Sequence, residues 1–115
     1  MNYYHRLYEA AAWLLMLQTE MKEKPFSAVV SRFISDSRAA WSDNSVKSTD
    51  CIAVLLALER NGEPMPEDII TFLENNIPEL DLKALSDGDR AAAEGDLRTA
   101  GAVIDWYKTT PGKIL

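Results

Sequence analysis

At 115 residues the chain accommodates one hydrophobic core, because two would each be too small to fold without disulfides or metals. Hydrophobic residues at 47% and charged residues at 26% exclude a disordered tail, and the single cysteine, Cys51, excludes an internal disulfide and a thiolate metal cluster. The longest apolar run, residues 10–17, falls far short of the roughly 20 residues a bilayer demands; with no cleavable leader in evidence, a soluble cytoplasmic domain of bacterial or phage character is expected.

The first element is a helix expected over residues 2–24. Tyr4, Leu7, Tyr8, Ala11, Leu14 and Leu15 recur at spacings of three and four, with Trp13, Met16 and Leu17 on the other side. A helix apolar almost all round belongs in the middle of a bundle, so this one is expected to be central. Pro25 ends it, since proline disfavours helical geometry in the residue before it. Phe26, Val29, Val30, Phe33 and Ile34 make the stripe of a second helix that Ala40 and Trp41 extend. Asp43, Asn44 and Ser45 then mark a loop, because their short polar side chains compete with helical hydrogen bonding.

Ser48, Thr49 and Asp50 offer N-caps for a third helix carrying Ile52, Val54, Leu55, Leu56 and Leu58, which Asn61 and Gly62 stop. Pro66 suits the first turn of a fourth, where Glu67 and Asp68 face the positive end of the helix dipole; Ile69, Ile70, Phe72 and Leu73 form its buried side, and Asn75, Asn76 and Pro78 finish it. Ile77, Leu80, Leu82 and Leu85 lie in a connection with room for one short helical turn. Ser86 and Asp89 resemble a capping box for a last helix reaching about Lys108, with Ala93, Leu97, Ala100, Ile104 and Tyr107 facing inward. Gly95 and Gly101 each cost that helix about 1 kcal/mol relative to alanine and are expected where helices approach closely. No repeat and no period-two alternation occurs, so the expected fold is all-α: one domain over residues 1–115, a compact bundle of about five helices.

Charge is unevenly placed. Residues 59–96 carry eleven acidic side chains against three basic ones, a local balance of −8 within a total of −6. The acidic set is Glu59, Glu63, Glu67, Asp68, Glu74, Glu79, Asp81, Asp87, Asp89, Glu94 and Asp96. A concentrated negative field steers a basic partner and repels a phosphate backbone. The competing explanation is structural, since carboxylates near helix starts offset the dipole and keep a protein soluble. Trp41, near Arg32, Arg38 and Lys47, adds a residue type enriched at binding hot spots, although closing the end of the bundle is an equally ordinary use for it.

Motifs for chemistry are absent. His5 stands four residues before Glu9, but no second histidine exists to complete a zinc-protease pair. Residues 83–94 place Gly88 and Glu94 at the sixth and twelfth positions of a calcium loop, yet Lys83 and Leu85 occupy positions that need carboxylates. Cys51 lacks a nearby base and suits packing. A helix-turn-helix across helices three and four would present Glu67, Asp68 and Glu74 to phosphates. No cofactor, metal or catalytic residue is expected.

In size, acidity and lack of chemistry the chain resembles small bacterial or phage inhibitors and immunity proteins, a resemblance of kind that transfers no residues. The expected function is a non-enzymatic inhibitor or immunity-type protein whose acidic surface, with Trp41, blocks a basic partner such as a toxin nuclease or a nucleic-acid-processing complex. The alternative is a helical adaptor or homo-oligomeric scaffold, such as a homodimer, using apolar surface from helix one or the Trp41 and Trp106 ends. Direct nucleic-acid or membrane binding is not expected. An enzymatic reading would require a deep pocket gathering His5 with several carboxylates.

Overall fold

The structure, a computed structural model, describes residues 3–40, 44–77 and 82–115. Five α-helices follow in order: α1 (Tyr3–Glu20), α2 (Phe26–Ala40), α3 (Ser48–Asn61), α4 (Glu67–Asn76) and α5 (Asp87–Thr109), with a single 3₁₀ turn at Leu82–Ala84 before the last. The described residues contain no strand, only one parallel bridge between Met65 and Ile114 that ties the chain's last residues to the turn before α4. The expected all-α bundle of about five helices is what forms.

Each helix ends where its local chemistry dictates. Gly62 closes α3 in the left-handed conformation, φ 62°, its N–H donating to the Leu58 carbonyl. Pro66 stands just before α4 at φ −59°, leaving Glu67 and Asp68 in the first turn. Ser86 caps α5 by accepting a 3.3 Å hydrogen bond from the Asp89 N–H. At α3 the expected cap differs. Lys47 holds the cap position, and the Ser48 hydroxyl donates instead to the Asn76 carbonyl at 3.0 Å, fastening the start of α3 to the end of α4.

The centre of the bundle belongs to α3, not to α1. Residues 51–55 and Leu58 are all buried, and α3 packs against each of the other four helices. The buried stripe of α1 is Tyr3, Ala10, Leu14 and Leu17, which leaves Tyr4, Tyr8 and Leu15 of the expected stripe facing outward. A helix can be apolar on every side and still find cover on only one of them within its own chain. On α5 the expected inward residues Ala93, Ala100, Ile104 and Tyr107 are buried, with Leu97 partly so. The glycines of α5 do not mark close approaches: a Cβ at Gly101 would meet nothing within 4 Å, and one at Gly95 only the Arg98 guanidinium.

Candidate functional site

The acidic residues are strung along the molecule. Glu63 lies beside the far end of α5, where its backbone carbonyl accepts a hydrogen bond from the Tyr107 hydroxyl, whereas Asp87 and Asp89 begin that helix. Twenty residues of α-helix at 1.5 Å each separate these ends by about 30 Å, several times the roughly 8 Å screening length at physiological salt. Three carboxylates already have side-chain partners: Glu74 pairs with Lys108 at 2.7 Å, Asp87 with Arg90 at 3.2 Å, and Asp96 accepts a 2.7 Å hydrogen bond from the Tyr3 hydroxyl. Asp68 accepts from the Ile69 N–H, as an acidic first turn should. Glu59 and Glu67 are exposed near the α3–α4 turn, and Glu94 is exposed on α5. Trp41, Glu79 and Asp81 lie outside the described residues.

Among the described residues, most of the exposed large apolar side chains stand on α1. Tyr8 is 77% exposed, Leu15 63% and Tyr4 52%, and Trp13 and Met16 are also exposed. Periodicity puts the first three on one flank, beside the residues of α3 that α1 does not cover. There they border an open groove of about 710 Å³ with Ala11, Gln18, Leu56, Ala57 and Arg60. The walls are mostly apolar, and Arg60 is the one charged residue among those lining the groove. Side chains of this size left in water forgo burial worth about 1.5–3 kcal/mol each.

A second concavity of about 440 Å³ opens where α1, α2 and the start of α3 meet, lined by Phe33 and Trp13 together with Arg6, Glu9, Asp36 and Asp50. Asp36 is engaged by Arg32 at 3.0 Å. Burial raises the Asp50 carboxyl above the usual aspartate range, against the Lys47 N–H, Arg6 and Lys47, which favour its charge. His5 is exposed and lines neither concavity. Cys51 is buried in the core. Among the described residues, no group of three metal-ligating side chains occurs and no helix is long and apolar enough to cross a membrane.

The periodic stripe expected on the first helix placed Tyr4, Tyr8 and Leu15 together but gave no sign that they stay uncovered or that Leu56 and Arg60 border them. The signal was present in the all-round apolar character of α1, which periodicity alone assigns to burial without saying by what. No family model, curated protein or solved structure matches this chain.

Proposed function

We propose that this protein is a non-enzymatic, cytoplasmic interaction module whose working surface is the apolar flank of α1, and that its occupant is an amphipathic helix laid into the α1–α3 groove. The single observation that carries this reading is the exposure of Tyr4, Tyr8 and Leu15 along one helical flank, beside a groove in whose lining Arg60 is the one charged residue. Helix-in-groove recognition uses such spaced apolar anchors. The inhibitor reading, in which carboxylates meet a basic partner, keeps some support from Glu59, Glu67 and Asp68 at the α3–α4 turn, exposed and outside every ion pair found among the described residues.

Capture on immobilised chain separates the two. Apolar docking survives high salt and is lost in Leu15→Glu, whereas ionic docking is released by salt and lost in Glu67→Gln with Asp68→Asn. A partner that ignores Leu15→Glu refutes the groove as the working surface.

A further inference from the structure

The groove side of α1 repeats as a heptad. Tyr4, Tyr8, Ala11, Leu15 and Gln18 follow one another at spacings of four, three, four and three, the pattern that keeps one seam turned towards a second helix. It is also its own complement. Reversed about Ala11, the seam sets Tyr4 against Gln18 and Tyr8 against the Leu14–Leu15 step. We infer that the helix occupying the groove is α1 of a second copy of this chain, in a twofold dimer whose α1 helices cross antiparallel at Ala11. This rests on the reading of the α1 flank as the binding surface and adds its occupant.

Charge favours that occupant. A chain of net charge −6 repels its own copy over most approaches, yet no carboxylate is among the residues lining this groove. Arg60 is the one charged residue lining the groove, and its guanidinium can rest on the face of a tyrosine ring from a second copy. Small side chains at Ala11 and Ala12 let the two backbones close in at the crossing. The area is also of the right order. The exposed parts of Tyr4, Tyr8 and Leu15 amount to about two whole large side chains, roughly 400 Å², and exposed Ala11, Gln18, Arg60 and Asn61 extend the patch towards the roughly 800 Å² each partner contributes to a standard interface.

Sedimentation equilibrium up to about 100 µM, where a micromolar dimer is nearly saturated, provides the test. The native chain is expected at twice its monomer mass, and Leu15→Glu, with unchanged helical circular dichroism, is expected to weaken the dimer at least about tenfold by burying a carboxylate. Orientation is read by combining Tyr4→Lys with Gln18→Glu. In an antiparallel dimer the new charges meet as opposites and the double variant associates more tightly than either single one; in a parallel dimer like charges meet and it associates less. A native chain that stays monomeric, a dimer indifferent to Leu15→Glu, or a weakened double variant each overturns the inference. A monomeric chain that still captures another protein through Leu15 overturns the second copy while leaving the groove's function in place.

Discussion

The Tyr3 hydroxyl donates a 2.7 Å hydrogen bond to Oδ2 of Asp96, joining the first turn of α1 to the middle of α5 across 93 residues of chain. Tyr3 also packs with Ile52 and Ala93, so one side chain fastens α1, α3 and α5 together. Removing the donor leaves a part-buried carboxylate short of a partner. Tyr3→Phe is therefore expected to cost about 1.5–3 kcal/mol, the range for hydrogen bonds to charged groups, read from the midpoint of urea unfolding. Asp96→Asn keeps an acceptor and should cost less.

Alkali should loosen the same joint. Burial, reinforced by Asp96, raises the Tyr3 hydroxyl well above the ordinary tyrosine value of 10, and burial with the nearby Glu63 charge pushes Tyr107 up to about 12. Below pH 10 both states hold these protons and the stability is fully present. Above it the unfolded chain releases them while the folded one does not, so stability falls with rising pH, Tyr107's share being spent by about 12. Thermal melts from about pH 9 to about pH 11 should show a falling Tm. Tyr107→Phe should flatten that slope, and an unchanged slope would remove Tyr107 as its cause.

Asp50 points the other way. It is the third residue of α3 and accepts from the Lys47 N–H, but desolvation outweighs that bond and the attraction of Arg6 and Lys47, leaving its carboxyl raised. Asparagine retains an acceptor and drops the poorly solvated charge. Asp50→Asn is accordingly expected to raise stability at neutral pH, and the gain should fade as pH falls through the raised native value and vanish below about pH 3, where Asp50 is neutral in both states. A loss at neutral pH would show that Arg6 and Lys47 dominate.

Two glycine-to-alanine changes should have opposite signs. Gly62 has φ 62°, and a Cβ there would lie 3.4 Å from the Trp106 ring, so alanine is expected to cost about 1–2 kcal/mol for its left-handed backbone. Gly101 is exposed inside α5 with nothing within 4 Å, so alanine should stabilise by about 0.5–1 kcal/mol. Chemical denaturation of the two variants side by side tests both.

What was legible in the residues follows how far each cause acts. Gly62, Pro66 and Ser86 bound α3, α4 and α5 through local backbone geometry and bonds spanning a few residues. Ser48 escaped that reading because its partner, Asn76, lies 28 residues away. The order of packing was hidden for a related reason. Both α1 and α3 are apolar on most sides, and only the arrangement of the other helices makes α3 the one enclosed. The acidic excess could be counted, but its spread along the roughly 30 Å from Asp87 to Tyr107 depended on knowing that one unbroken helix separates them.

That ambiguity between being covered and needing cover is measurable on two leucines. Leu55 of α3 is fully buried, and Leu15 of α1 is 63% exposed. Truncating Leu55 removes buried methyl groups and leaves a cavity in a well-packed core, so Leu55→Ala is expected to cost about 2–5 kcal/mol. Leu15→Ala removes apolar surface already in water, and in dilute solution its effect should stay within about 0.5 kcal/mol. Raising protein concentration should leave the Leu55→Ala deficit unchanged and widen that of Leu15→Ala, because a side chain buried between copies contributes only once they associate. Melts at two concentrations, about a hundredfold apart, supply the comparison. A Leu15→Ala deficit that is large in dilute solution would assign that side chain to the fold of the single chain rather than to its partner.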